Sequence, residues 1–287
     1  MTPESIQPKY TPEQIIAKLQ AHPKFGSQIK PITKHQSAII SSGLEPAVVI
    51  AGAGSGKTET MSNRVLYLVA NGFATPDQIL GLTFTRKAAG ELSVRIRKRL
   101  RQLSQLPEFK HITSNSTAVT TYHSYAGKLL SEHAIRYGID ADAEPLGEAA
   151  IWQIASDVVR NWSDDSYRND SAVSTVIKDL LGLSKFMLEH QVNAADIEVI
   201  GNEMLEKLQS LAGSTNEDTR AVARAMRQRN SLLPMVEAFM ARRKAAGELS
   251  FDDQMSLAAD IAQNFEDVGT LERGKYKIVL LDEYQDT

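Results

Sequence analysis

Residues 47–58 read AVVIAGAGSGKT. An apolar run over 47–51 leads into a glycine-rich turn, and a helical pattern follows at 58–70. Gly52, Gly54 and Gly56 allow backbone N–H groups to turn towards an anion. The helix start adds unpaired donors and the positive end of a helix dipole. This order predicts a loop that binds the phosphates of a nucleoside triphosphate, which we expect to be ATP.

The loop residues have separate predicted roles. Lys57 is expected to reach the β- and γ-phosphates, and the Thr58 hydroxyl is expected to coordinate Mg²⁺. Ala51 stands where the strict pattern has glycine, so a chance glycine-rich turn is the alternative. The predicted nucleotide contacts of the loop are Gly52, Ala53, Gly54, Ser55, Gly56, Lys57 and Thr58.

Three more apolar runs, at 79–84, 117–122 and 276–281, have the pattern of buried strands. They show no clean polar/apolar alternation, as expected for a parallel sheet with both faces covered. Helical patterns follow at 86–103 and 123–137. Together with 47–51, the runs predict a four-stranded, doubly wound α/β domain.

Between residues 128 and 248 the pattern is helical throughout, with segments at 149–162, 173–188, 194–211 and 216–246. We therefore predict an all-helical insertion over 128–248 within an α/β domain formed by 33–127 and 249–287. Residues 1–32 are expected to be a leader or a peripheral helix. Capping boxes at Thr33–Gln36 and Ser250–Asp253 are expected to begin helices.

Composition excludes several kinds of protein. The 287 residues include no cysteine, which excludes disulfides, Cys-ligated zinc and iron–sulfur clusters in this span. No apolar run approaches the length of a membrane helix, and we expect a cytoplasmic protein without membrane contact. The net charge of −3 means that any nucleic-acid surface must be local. A basic cluster over 82–101 contains Arg86, Lys87, Arg95, Arg97, Lys98, Arg99 and Arg101.

Two acids follow the last apolar run. Asp282 is positioned to hold Mg²⁺, and Glu283 could polarise an attacking water as a general base. Many strands end in solvated acids, so this pair alone is weak evidence for a metal site. The evidence is stronger downstream of a phosphate loop, because ligands bind at the carboxyl ends of parallel strands.

Residues 84–86, at the end of another run, suggest a DNA contact, with Phe84 stacking on a base and Thr85 and Arg86 beside it. Residues 97–101 are more simply a solvated helix face. His123 has no second ligand at metal spacing, so we expect it to bind DNA backbone or to support the strand end.

Five segments in this order resemble the motifs of superfamily 1 DNA helicases of the UvrD/Rep/PcrA type. They are ITKHQ (32–36), AGAGSGKT (51–58), LTFTRKAAGEL (82–92), TYHS (121–124) and DEYQDT (282–287). Ala51 is expected in this family's loop. The resemblance implies a RecA-like first domain (1A) interrupted by a helical subdomain (1B). It also implies an ATP-driven helicase that moves 3′ to 5′ on single-stranded DNA and acts in repair or recombination.

The resemblance also extends to single residues. It implies that Gln36 reads the adenine edge, although a capping role is the alternative. Gln285 joins Glu283 and Lys57 as a catalytic residue, and Tyr122 joins His123 as a DNA contact through base stacking. Glu59 falls within the nucleotide-binding segment, but many relatives have arginine there, so that base contact cannot be carried over.

The resemblance covers the N-terminal half of such an enzyme. It implies that a second RecA-like domain (2A/2B) of the same protein supplies further ATP and DNA contacts, and that residues 1–287 alone are poorly active. The residue sequences of the motifs are most similar to those of actinobacterial members. Some of these members are helicase–nuclease subunits similar to AdnA and AdnB. A nucleotide-regulated DNA-binding subunit without motor activity is the alternative, whereas the segments 121–124 and 285–287 argue against a P-loop kinase or transporter.

Overall fold

The computed structural model describes residues 7–112, 117–137, 146–163, 171–210, 217–246 and 251–286. The chain divides into two compact units. One comprises Met1–Tyr125 and Phe265–Thr287, and the other comprises Ala126–Asn264. The second unit ends later than the return to the α/β domain expected at residue 249. Ser250, the first residue of the capping box predicted there, lies outside the described residues.

The first unit contains a three-stranded parallel sheet with β1 in the centre. Leu80 of β1 aligns with Ala118 of β2 on one side and with Val279 of β3 on the other. The carboxyl ends of all three strands therefore lie at the same edge. The strands are β1 (Ile79–Thr83), β2 (Ala118–Thr121) and β3 (Ile278–Leu281).

The fourth predicted strand, at 47–51, is wrong for this structure. These residues have no regular secondary structure, and Val48 and Ile50 are 77% and 96% exposed. The apolar pattern is that of a buried strand, but a strand also needs hydrogen-bonding neighbours. The run pairs with none of the three strands, so its backbone lacks the ladder that a strand requires. β1 is buried along its whole length, whereas β2 is buried only at Thr121, and Val279 and Leu281 of β3 are exposed.

Among the described residues, six α-helices belong wholly or partly to this unit. They are α1 (Pro12–Gln20), α2 (Lys34–Ile40), α3 (Lys57–Ala70), α4 (Arg86–Ser104), α5 (Tyr122–His133), which continues into the second unit, and, after the second unit, α11 (Glu266–Lys275). The helix near the N-terminus is part of the core, since Ile15, Ile16 and Leu19 of α1 pack with apolar residues of α3 and α4. The predicted strand–helix alternation is therefore confirmed for β1–α4 and β2–α5.

The second unit is helical in every segment that the structure describes, and the predicted helices are confirmed with small shifts in their ends. Its core includes Leu180, Val236 and Phe239. The remaining helices are α6 (Glu148–Arg160), α7 (Val173–Glu189), α8 (Ala194–Ser210), α9 (Glu217–Ala245) and α10 (Phe251–Asn264). Among the described helices, none combines the length and apolar character needed to cross a membrane.

Candidate functional site

The glycine-rich loop is open to solvent and depends on left-handed backbone at two positions. Residues 52–55 are exposed. Gly54 has φ of 74° and Gly56 has φ of 89°, a region that side-chain-bearing residues rarely adopt. Gly56 caps α3, which begins at Lys57, so the free N–H groups of the first helical turn lie directly after the loop. This is the geometry that a phosphate-binding loop requires.

Gln36 joins α2 to this loop. Its side-chain Oε1 accepts a hydrogen bond from the Thr33 N–H at 3.0 Å, and its N–H donates to Thr33 Oγ1 at 3.2 Å. The predicted capping box is thus confirmed. The Gln36 Nε2 also donates to the Ser55 carbonyl at 3.1 Å. Gln36 therefore supports the phosphate loop directly, and its role in adenine recognition stays a prediction.

The acidic turn after β3 approaches the start of α3. The Lys57 Nζ lies 3.8 Å from a carboxylate oxygen of Glu283, and both side chains are half-exposed. The Asp282 N–H donates to the Leu82 carbonyl at 2.8 Å, so the sheet fixes this turn. Glu283 has φ of 52°, a strained conformation for a residue other than glycine. The Gln285 Nε2 donates to Glu283 Oε2 at 2.5 Å, which aims the carboxylate.

Asp282 has an unusual electrostatic environment. Burial, and then the charge of Glu283, raise the pKa of its carboxyl, while the Glu283 N–H and Lys57 oppose the shift. A half-buried carboxylate beside a second acid is stabilised by a cation. Thr58 follows Lys57 on α3 and Asp282 precedes Glu283, so the residues next to the Lys57–Glu283 approach carry a hydroxyl and a carboxylate. These oxygen ligands suit Mg²⁺ that is completed by phosphates and water, and the residues present therefore fit Mg²⁺ with a triphosphate.

The predicted DNA contacts at the end of β1 are accessible. Phe84 is 49% exposed, and Arg86 is exposed on the first turn of α4. The Thr85 Oγ1 accepts a hydrogen bond from the Ala88 N–H at 3.1 Å and caps the helix. An aromatic ring, a helix N-terminus and a cation thus follow one another directly after β1.

Tyr122 and His123, which follow β2, differ from one another. His123 is exposed. Tyr122 is only 8% exposed, and its hydroxyl donates to the Asp282 carbonyl at 3.4 Å. The structure does not present the Tyr122 ring as a surface for base stacking. Its hydroxyl instead joins the end of β2 to the acidic turn.

Two ion pairs of Glu59 were not predicted from the sequence. Glu59, in the first turn of α3, forms ion pairs with Arg95 at 3.1 Å and with Arg99, whose side chain is 10% exposed. Arg99 is therefore not part of a solvated helix face. The sequence signals for these pairs are Glu59 itself and the basic residues of α4. They do not determine which arginine pairs with Glu59.

Arg64 of α3 is the second missed residue. Its guanidinium donates to the carbonyls of Ile40, Ser42 and Gly43 at 2.8, 2.6 and 2.6 Å. Burial lowers the pKa of Arg64. These bonds hold the segment between α2 and the apolar run against α3. A lone arginine in a helical pattern carries no sequence signal for this role.

Comparison with known proteins gives a consistent result. The family described as the UvrD/REP helicase N-terminal domain matches residues 32–287. The chain is 30% identical over 254 residues to the ATP-dependent DNA helicase UvrD1 of Mycobacterium tuberculosis. It is 25% identical over 252 residues to the ATP-dependent DNA helicase PcrA of Staphylococcus aureus.

Each of these alignments covers 88% of the chain. They cover 28% of the length of UvrD1 and 29% of that of PcrA. The chain thus spans less than a third of the length of these relatives.

Proposed function

The chain belongs to the UvrD/REP helicase family through its N-terminal domain, and we propose that it forms the ATP- and DNA-binding part of a motor that moves 3′ to 5′ along single-stranded DNA. We assign the motor to DNA repair or recombination. The observation that carries the proposal is the approach of Lys57 to Glu283, because it unites the phosphate loop with the acidic strand end. ATP-dependent DNA helicase function is a property of the family.

In this proposal the residues around the loop divide the chemistry of ATP hydrolysis. The N–H groups of residues 52–58 and the Lys57 ammonium bind phosphate oxygens. The Thr58 hydroxyl and the Asp282 carboxylate hold Mg²⁺, which would neutralise part of the phosphate charge. Glu283 accepts a proton from the attacking water, and Gln285 fixes its carboxylate.

The proposed DNA contacts lie at the carboxyl edge of the sheet. Phe84 stacks on a base, and Arg86 and the N-terminus of α4 bind phosphate. His123, exposed after β2, contacts the backbone. We assign Tyr122 a role in positioning the acidic turn, since its hydroxyl donates a hydrogen bond to the Asp282 carbonyl. The proposed ATP site and the proposed DNA site would then both contact the acidic turn. This shared turn is a physical route for coupling ATP hydrolysis to DNA binding.

We further propose that residues 33–127 and 249–287 act as domain 1A and that 128–248 act as domain 1B. A second RecA-like domain in a longer protein would complete the charge stabilisation at the γ-phosphate. The greater length of the relatives supports this arrangement. We expect residues 1–287 alone to bind ATP weakly and to hydrolyse it slowly.

The test compares ATP turnover and strand unwinding by the full-length protein with and without Lys57→Ala. We expect unwinding and DNA-stimulated turnover to be lost, because Lys57 holds the phosphates. Unwinding at the wild-type rate by Lys57→Ala would refute the proposal. Rapid DNA-stimulated turnover by residues 1–287 would refute the need for a second domain.

A further inference from the structure

A groove of about 670 Å³ runs beside α4 in the first unit. We call it the α4 groove. Residues of α4 from Arg86 to Arg99 form one wall, and Gln28 and Glu59 contribute from other segments. The groove starts at the helix turn that carries Arg86, so it is continuous with the proposed DNA contact at the end of β1.

The charges of the α4 groove are only partly compensated. Glu59 pairs with Arg95 and Arg99, which fixes these two arginines to α3. Arg86 and Lys87 form no ion pair with any described residue. Lys98 donates to Gln28 at 3.2 Å, a neutral partner. Against these three cations the wall adds one further acid, Glu91.

The spacing of the three cations fits a linear polyanion. Arg86 and Lys98 lie at the two ends of the groove wall, and a helix that rises about 1.5 Å per residue separates them by about 18 Å. This length accommodates a few nucleotides of a DNA strand. A small anion would leave one end unused, and Val94 is the one large apolar side chain among the residues that line the groove.

We propose that the α4 groove binds the sugar–phosphate backbone of single-stranded DNA that continues from the strand-end contact at Phe84–Arg86. The inference rests on the proposed function and extends it, because it adds a second stretch of DNA track on α4. Lys87 and Lys98 bind phosphates without reading the sequence. The Glu59 pairs hold the wall in place.

The experiment measures binding of a fluorescein-labelled oligo(dT) to the 287-residue chain by fluorescence anisotropy over a series of salt concentrations. The test variant is Lys87→Gln/Lys98→Gln. Its matched control is Arg97→Gln/Arg101→Gln, which removes the same charge from exposed positions of α4 outside the groove. Circular dichroism melting verifies that all variants fold.

For the test variant we expect the salt slope to fall by about 1.4, which is about 0.7 for each lost phosphate contact. Its affinity should fall by about tenfold at physiological salt. The control should stay within about twofold of the wild type. An equal loss in both variants, or no loss in the test variant, would overturn the proposal.

Phe84→Ala separates this inference from the proposed function. If Phe84→Ala weakens binding while Lys87→Gln/Lys98→Gln does not, DNA binds at the strand end and the groove proposal alone fails. If the wild type does not bind the oligonucleotide, the DNA-binding proposal and the groove proposal both fail. Preferential binding of an acidic peptide over oligo(dT) in a competition assay would also overturn the groove proposal.

Discussion

The Lys57 ammonium lies 3.8 Å from the Glu283 carboxylate, so the first residue of α3 meets the turn that follows β3. Both side chains are half-exposed, and an ion pair of this kind contributes little to folding. The approach instead places a phosphate-binding cation beside a base that can activate water. Its importance is therefore expected in catalysis and not in stability.

Glu283→Gln tests this distinction. We expect ATP binding to persist and hydrolysis by the full-length protein to fall by about 10²–10⁴-fold, because an amide cannot accept the proton. Melting temperature should change little. Nucleotide affinity by fluorescence titration and turnover by phosphate release measure the two effects. Turnover near the wild-type rate would remove Glu283 from the mechanism.

Gly56→Ala should destabilise the first unit. The new Cβ would lie 3.0 Å from Gln36 Nε2, and φ at this position is 89°. We expect a loss of about 1–2 kcal/mol in the free energy of unfolding, measured by urea denaturation. Gly52→Ala is the control, since its Cβ meets nothing within 4 Å. Equal losses for both variants would show that the Gly56 backbone is not the cause.

Asp282→Asn tests the electrostatics of the acidic turn. The folded-state pKa of Asp282 is raised by burial and by Glu283. The carboxyl therefore favours the folded state below its unfolded pKa of about 3.9, and this contribution is lost as pH rises through the folded pKa. At neutral pH without Mg²⁺ the variant should be more stable than the wild type, and the two should converge at low pH.

Mg²⁺ with an ATP analogue supplies the complementary measurement. These ligands should stabilise the wild type more than Asp282→Asn, because the variant lacks the charged oxygen that the metal prefers. Thermal melting with and without a chelator measures the difference. Identical stabilisation of both proteins would exclude Asp282 as a metal ligand.

Glu59→Gln should destabilise the fold by about 1–3 kcal/mol. The change leaves the buried guanidinium of Arg99 without its charged partner. Arg95→Gln removes the more exposed partner and should cost less. Urea denaturation of both variants checks the order, and a larger loss for Arg95→Gln would contradict the assigned roles.

Tyr122→Phe distinguishes positioning from base stacking. The ring is buried, and only the bond from its hydroxyl to the Asp282 carbonyl is lost. We expect oligo(dT) affinity to change by less than about twofold and Mg²⁺-dependent stabilisation to weaken. Phe84→Ala, at an exposed ring, should weaken DNA binding several-fold. A large loss of DNA binding in Tyr122→Phe would restore the stacking role.

The sequence predicted those parts of the fold that local patterns determine. Periodic apolar residues located α3, α4 and the helices of the second unit, and the Thr33–Gln36 capping box has the expected bonds. The run 47–51 failed because strand pairing depends on neighbours that a local pattern does not contain. For the same reason the bonds of Glu59, Arg64 and Tyr122 could not be foreseen. They join residues far apart in the sequence, and many partners were chemically acceptable.

The exposed run before the phosphate loop has a consequence for the behaviour of the protein in bulk solution. Val48, Val49 and Ile50 are uncharged, β-branched and in contact with water. Such a segment can adhere to the same segment of another molecule. We therefore expect this short stretch to lower the colloidal stability of a concentrated sample, and kosmotropic salts such as sulfate should promote turbidity.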